Sequence, residues 1–439
     1  MTLGRPIACP TRFTCLPLVV AAVVLVGCAV RASAQPPQPS ERVTFPEAVA
    51  RAIERNPNSA IAAAGILRAD ALLTQAQSAS RLQVNATVTT TTLNRSVKFE
   101  DSTVTPMNQV AGTVDVRLPL YAPVQWARRA QAEDQKNVAE LSAQNVRRQT
   151  ALATADAYLT ILAMRRVAEG NLRARDTARE HFELARQLEE QGAGSRLNML
   201  RAQQELSVDE VLVEGADLAV YRAQEALGVL LVADGPVDAA EEPVFALPEG
   251  ANVTPAPSGL LLSRSDLKLF SAEQGAAQRV LDDSRKDRHP YLEGILQGQS
   301  VYPSQFFSDA NSARLLFQLS IPLFDSGQRA GLKAERLAAV NVAAATVAGA
   351  TTLASSEVRA ARVAVDSATR AVVSARAGSE QAQQVVDITN ISFRAGGSTN
   401  IEVIDAVRRG RDTDTAVAVA EDTLRRAQLD LLAALGLFP

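Results

Sequence analysis

Two long segments of the chain place apolar residues at helical spacing and contain no proline. Apolar side chains recur every three or four residues, as in Leu152, Ala155 and Leu159. This spacing is typical of coiled-coil helices. None of the 20 prolines falls in residues 124–235 or 323–438. Because an interior proline costs a helix about 3 kcal/mol, the pattern predicts that both segments are helical.

Each helical segment is interrupted once, near its middle, by glycine. Gly-Ala-Gly at 192–194 breaks the first segment and Gly-Gly at 396–397 breaks the second. Ser195 and Ser398 follow these breaks and are predicted N-caps of the next helix. Each segment is therefore predicted to be a helical hairpin. If residues 124–191 are fully helical, that arm is about 100 Å long.

Ahead of each hairpin the apolar positions change to a period of two, which predicts strands with one apolar face. The first pair lies at 82–92 and 110–120, and the second lies at 315–324 with a weaker partner around 291–301. A tilted transmembrane strand needs about ten residues. A soluble hairpin packed on a helix shows the same alternation, so the pattern alone leaves both settings open.

The number of strands favours a structure shared between chains. The connections at 95–109 and 302–312 are polar enough to face water. Barrels that span a membrane start at eight strands, and lipid does not tolerate an open sheet edge. Four strands per chain therefore predict that any barrel is built by several chains together.

The two halves of the chain are related by a constant offset. Aligning Gly194 with Gly397 gives 397 − 194 = 203, and the same offset carries RLPLY at 117–121 onto SIPLF at 320–324. This predicts a duplication of one unit of helix, two strands and hairpin. The predicted organisation is a first repeat at 44–235, a linker at 236–258 and a second repeat at 259–438.

Residues 1–34 have the charge layout of a secretory signal peptide, with a basic start, an apolar run and no acidic residue before Glu41. Two processing sites remain open. An Ala-Ser-Ala sequence favours cleavage before Gln35, whereas Leu-Val-Gly-Cys resembles a lipidation signal that ends at Cys28 and would limit the signal to 1–27. With either site, the exported chain has no pair of cysteines for a disulfide.

Composition and charge exclude several classes of function. The chain has 439 residues, of which 47% are apolar and only 4% aromatic, and its net charge of −3 gives no support for nucleic-acid binding. The two histidines, His181 and His289, stand alone, and no Cys or His cluster has metal-ligand spacing. We therefore expect no enzymatic activity, no cofactor and no metal site.

The order of elements behind a signal peptide resembles the TolC-like outer-membrane efflux proteins over residues 44–438. The stretches that carry the resemblance are TFPEAVARAIERNP at 44–57, the paired LPLY and IPLF, and GGSTNIEVIDA at 396–406. The resemblance implies an α plus transmembrane β fold. It also implies a homotrimer, in which a 12-stranded barrel in the outer membrane is continued by a coiled-coil α-barrel across the periplasm.

The resemblance also implies a function and partners. Such proteins passively export drugs, metal ions or proteins in tripartite efflux or type I secretion systems, and an inner-membrane pump delivers these substrates through a periplasmic adaptor protein. The alternative is a periplasmic coiled-coil scaffold without a channel, for which the strands would have to be soluble.

The hairpin turns gain their predicted roles from this resemblance. Glu402 and Asp405 map onto acidic residues that ring a closed gate, and their spacing of three places both on one helix face. The other interpretation is an acidic helix start favoured by the helix dipole. Asn198 stands where the family has an aspartate, and Ser398 where it has a basic residue. The predicted adaptor contacts are Gly194, Ser195, Arg196, Leu197, Gly397, Ser398 and Thr399.

Overall fold

The computed structural model describes residues 41–99, 102–247, 263–304 and 309–438. The predicted signal segment with both processing sites lies outside these residues, as does the second half of the predicted linker.

Long helices and a small number of strands make up the described chain. The helices are α1 Phe45–Arg55, α2 Pro57–Ser78, α3 Pro123–Glu190, α4 Arg196–Leu231, α5 Ser265–Asp282, α6 Gln328–Arg394 and α7 Asn400–Ala434, with a 3-10 helix at Asp283–Arg288. The strands are β1 Glu41–Val43, β2 Gln83–Thr92, β3 Val97–Phe99, β4 Ser102–Thr105, β5 Asn108–Tyr121, β6 Val237–Ala239, β7 Tyr291–Tyr302 and β8 Asn311–Ser320.

The two longest helices confirm the prediction from the proline-free segments. Helix α3 has 68 residues and α6 has 67, so each is about 100 Å long. Pro123 occupies the first turn of α3, where the missing N–H costs no hydrogen bond. The order of one helix, two long strands, a long helix and a shorter helix occurs first in α2–α4 and again in α5–α7.

Both long helices end in the same type of glycine turn. Gly192 has a φ of 74° and its N–H donates to the Glu189 carbonyl at 2.9 Å, while the Ala193 N–H donates to the Leu188 carbonyl at 2.9 Å. This pair of bonds defines a Schellman motif, which needs a left-handed residue that glycine supplies without strain. The end of α6 repeats it at Gly396, whose φ is 77°.

The N-cap prediction is confirmed for α4 and wrong for α7. The Ser195 hydroxyl accepts from the Leu197 N–H at 3.2 Å. Helix α7, however, is capped by Thr399, because its side chain forms a capping box with Glu402 that Ser398 is one residue too early to make. The two caps are 399 − 195 = 204 residues apart, so the alignment at offset 203 is displaced by one residue at the turns.

Four antiparallel strands form a sheet in the order β2-β5-β7-β8. The first three strands lie close to their predicted positions. The prediction of 315–324 was wrong in its bounds, since β8 spans Asn311–Ser320. The chain beyond β8 contains Pro322, which has no N–H to donate to a neighbouring strand. The Asp325 carboxylate then accepts from the Arg329 N–H at 3.0 Å in the first turn of α6. The polar connection at 95–109 also holds the small β3–β4 hairpin.

The hydrophobic core surrounds the middle of the helices, away from the sheet. Strands β1 and β6 pair in parallel there, and Tyr158 of α3 is fully buried beside them. The Tyr158 hydroxyl donates to the Glu241 carbonyl at 2.8 Å, and Phe45 packs edge-on against its ring at 5.4 Å. These contacts tie the start of α1 and the chain after β6 to the long helix.

Helix α6 has an exposed apolar segment. Among the described residues it is the one helix that is long and apolar enough to cross a membrane. An 18-residue segment of it has a mean hydropathy of 1.6, and only 6% of that segment is buried. Exposed members include Leu337, Val342 and Leu353. An apolar helix surface of this kind calls for a covering partner.

Candidate functional site

The four-stranded sheet has an apolar row on one face and a polar row on the other across its middle. Val84, Val116, Leu296 and Leu315 are register partners on four successive strands, and they form an apolar row on one face. Phe317 lies two residues further along β8 on the same face and is 68% exposed. Such a row of large exposed side chains is unfavourable in water.

The opposite face of the sheet is polar. The adjacent register row consists of Asn85, Asp115, Gln297 and Arg314, and Arg314 Nε donates to Gln297 Oε1 at 2.5 Å. Strands β2 and β8 each have a hydrogen-bonded neighbour on one side only in the part of the chain that the structure describes. The sheet therefore has one apolar face, one polar face and two open edges.

The predicted gate acids lie on one side of α7 in its first two turns, and both are exposed. Glu402 accepts from the Thr399 N–H at 2.7 Å as part of the capping box. Asp405 pairs with Arg409 at 2.9 Å, one turn further along. A groove of about 400 Å³ borders all three charged residues. The structure thus gives Glu402 a structural role at the helix start and partly neutralises Asp405.

The sequence indicated that His181 stands alone, but in the structure it joins the two hairpins. It is buried in α3, its Nε2 lies 2.6 Å from Asn400 Oδ1 of α7, and its ring packs on Phe393. Asn400 in turn donates through Nδ2 to the Asn198 carbonyl at 3.2 Å. Burial lowers the pKa of His181, opposed by the Asn400 hydrogen bond, so the neutral imidazole is favoured.

Two ion pairs continue this connection along the hairpins. Glu205 of α4, only 3% exposed, accepts from Arg408 Nε through both oxygens at 2.8 and 2.9 Å, and a third short bond comes from Nη2. Asp209, 1% exposed, accepts from Arg411 Nη1 at 2.6 Å. Burial raises the pKa of Asp209 despite this arginine, and its second oxygen has no partner.

The sequence contains a signal that could have found these ion pairs. Glu205 and Arg408 are 203 residues apart, and Asp209 and Arg411 are 202 apart. These offsets match the predicted repeat within one residue, so equivalent positions of α4 and α7 face one another. Opposite charges at aligned positions of the two halves therefore mark the contact.

The predicted adaptor contacts lie at the two turns. Ser195, Arg196 and Leu197 are exposed at the first turn, as are Gly397 and Thr399 at the second. Gly194 and Ser398 are half-buried. A Cβ at Gly194 would lie 2.9 Å from the Glu189 nitrogen, so a side chain there would displace the end of α3.

A family model matches most of the chain. The model describes the outer membrane efflux proteins and matches residues 48–231 and 256–437, one match to each half. The chain belongs to the outer membrane efflux protein family, and its place is the outer membrane, with a helical portion in the periplasm. No curated protein sequence matches it significantly. No group of three or more potential metal ligands occurs among the described residues.

Solved structures of outer-membrane channels share the fold. The outer membrane protein VceC of Vibrio cholerae is 18% identical with a TM-score of 0.75, and the similarity covers 89% of this chain and 96% of VceC. The CmeC outer membrane channel of Campylobacter jejuni is 15% identical with a TM-score of 0.77, and the similarity covers 90% of this chain and 86% of CmeC. The open state of the MtrE outer membrane channel of Neisseria gonorrhoeae is 17% identical with a TM-score of 0.72, and the similarity covers 89% of this chain and 88% of MtrE.

Proposed function

We propose that this protein is the outer-membrane channel-tunnel of a tripartite efflux or type I secretion system. The four-stranded sheet carries this proposal, because it combines an exposed apolar face with two open edges. Three copies would supply twelve strands, join β8 of each chain to β2 of the next, and leave no edge in lipid. The apolar row would then contact lipid and the polar row would line the pore.

The hairpins fit the same trimer as a periplasmic tunnel. Around the molecule the helices follow the strand order, with α3 against α2, α5 against α3 and α6 against α5. The exposed apolar segment of α6 is then at the free edge, where the next chain would cover it. A single membrane-spanning helix is a poor explanation of this segment, since α6 continues far beyond the length that a bilayer needs.

Each half of the chain would contribute one unit to this assembly. The recurring element order supports the duplication, for which we propose the boundaries 44–235, 236–258 and 259–438. An N-terminal signal at 1–34, or at 1–27 with lipidation of Cys28, would direct the chain to export.

The hairpin tips would meet the periplasmic adaptor, which connects the tunnel to an inner-membrane pump. The exposed turn residues Arg196, Leu197 and Thr399 support this assignment, as does the identical Schellman geometry of both turns. The tips would also be the resting closure, with Glu402 and Asp405 at the pore and the Asn198 carbonyl holding Asn400 in place.

Conductance and gel migration test the channel. In planar bilayers the wild type should show low, cation-selective conductance that divalent cations block, and Glu402→Ala with Asp405→Ala should lose most of the block because the carboxylates are gone. Arg409→Ala is the matched control, since it frees Asp405 and should strengthen the block. Equal block in all three proteins would refute the gate.

The alternative, a coiled-coil scaffold without a channel, is tested on the same preparations. A channel should fractionate with outer membranes as a trimer whose gel migration changes on heating. A soluble protein that forms no bilayer channel would refute the proposal and support the scaffold.

A further inference from the structure

A groove lies at the junction between the sheet and the helices. It is formed by the 3-10 helix Asp283–Arg288, which leads directly into β7, and by the first turns of α6, and its volume is about 1080 Å³. Leu281 and Pro290 give part of it an apolar lining. The volume is slightly above the usual range for small-molecule sites, which is about 300 to 1,000 Å³.

The charged lining of the groove is strongly basic. Arg285, Arg288, Arg329 and Lys333 face one carboxylate, Asp282, which gives 4 − 1 = +3 in a chain whose net charge is −3. Arg329 is paired with Asp325 outside the lining, whereas the other three cations form no ion pair with any residue in the described ranges.

The nearby acidic residues do not compensate these cations. Asp283 pairs with Lys286 at 2.9 Å, and Asp287 pairs with Arg336 at 2.7 Å. Three exposed cations that share one groove with a single carboxylate, Asp282, repel one another, and an anion between them would relieve that repulsion.

Exposed apolar and aromatic side chains lie near the groove. Leu323 and Phe324, between β8 and α6, are 89% and 87% exposed. On the other side Tyr121 packs edge-on against Trp126 at 5.6 Å, and its hydroxyl lies 3.0 Å from Nδ1 of His289, a lining residue. Exposed Trp and Tyr at the end of a membrane sheet are typical of the boundary between lipid and water.

We propose that this groove binds the phosphodiester headgroup of an anionic glycerophospholipid from the inner leaflet of the outer membrane. Arg285, Arg288 and Lys333 would hold the phosphate, and the acyl chains would lie along Leu323 and Phe324. The inference rests on the proposed insertion of the sheet in the outer membrane. It adds a lipid site that would fix the height of each chain in the bilayer.

Native mass spectrometry of the full-length trimer tests the site with an equimolar mixture of phosphatidylglycerol and phosphatidylethanolamine. The wild type should retain phosphatidylglycerol preferentially. The triple variant R285Q/R288Q/K333Q should lose this preference, by about fivefold for each cation removed. The control R201Q/R222Q/R370Q removes three exposed and unpaired arginines elsewhere on the described helices and should retain the preference.

The outcomes separate this site from the channel itself. Heat-dependent trimer migration is measured first on the same samples, and a wild type that forms no inserted trimer refutes the proposed function. Inserted trimers with equal lipid preference in the wild type and the groove variant refute the lipid site alone. Excess inorganic phosphate should leave phosphatidylglycerol bound. Its displacement by phosphate would identify a site for soluble anions and overturn the lipid assignment.

Discussion

Replacing Arg408 with alanine should open the tip of the proposed tunnel at rest. Arg408 belongs to α7 and holds Glu205 of α4 through both carboxylate oxygens, so it connects the two hairpins of one chain. Glu205 is 3% exposed in the intact chain, and without the arginine its carboxylate would have no partner as long as the hairpins stay together. Separation of the hairpins would return this carboxylate to water, so the variant should favour the open state.

The size of the effect follows from the burial of the two partners. Removing one member of a fully buried ion pair costs about 3 to 5 kcal/mol. The Arg408 side chain is 50% exposed, so water already screens part of the attraction and about 2 kcal/mol per chain is a fair expectation. That free energy changes an equilibrium about 30-fold.

Planar-bilayer conductance measures this change, with gel migration as the check that trimers are intact. Arg408→Ala should conduct more at rest than the wild type, and Arg201→Ala, which removes an exposed and unpaired arginine of α4, should not. The double variant E205Q/R408A should regain thermal stability and conduct less at rest than Arg408→Ala, because no buried unpaired charge is left to favour separation of the hairpins. An unchanged resting conductance of intact Arg408→Ala trimers would refute a locking role for this ion pair.

Other parts of the structure give three further predictions. Val116→Arg should lower trimer yield in outer membranes at a cost of about 2 to 4 kcal/mol, while Thr113→Arg on the polar face should be tolerated; equal yields would exclude the lipid-facing assignment. The lowered pKa of His181 means that the unfolded chain binds the proton more readily than the folded chain, so this residue's contribution to trimer stability is present above pH 6.5, the ordinary pKa of histidine, and is lost as pH falls. In thermal melts His181→Gln should lose less stability at low pH than the wild type, and identical pH profiles would count against this role. Gly194→Val should lower thermal stability as well as crosslinking to an adaptor, because its side chain meets the α3 backbone, and an unchanged melting temperature would contradict the close approach.

The sequence predicts the long elements well because each follows from a local rule. Absence of proline and a glycine turn define α3 and α6, and alternation defines β2 and β5. The same alternation fails for β8, because Ile321 and Leu323 continue the apolar pattern after the strand has ended. A proline at 322 and the start of α6 outweigh the pattern there.

The contacts of the candidate gate depend on the tertiary structure, and local patterns do not contain them. His181 is surrounded by ordinary helical sequence, and only the packing of α3 on α7 brings it to Asn400. Thr399 replaces Ser398 as the cap because the left-handed glycine is Gly396, which moves the start of α7 by one residue. Glycine marks where each turn lies, whereas the position of the cap depends on which glycine is left-handed.

The ion pair between Glu205 and Arg408 also limits the symmetry that the protein can adopt. Two identical repeats would place the same side chain at both positions, and two like charges in contact at a buried site repel each other. A ring of six single repeats built from either half alone therefore could not form this bond. In the proposed duplication, the two halves carry opposite charges at this contact, so the linked polypeptide with both halves supplies both partners of the ion pair.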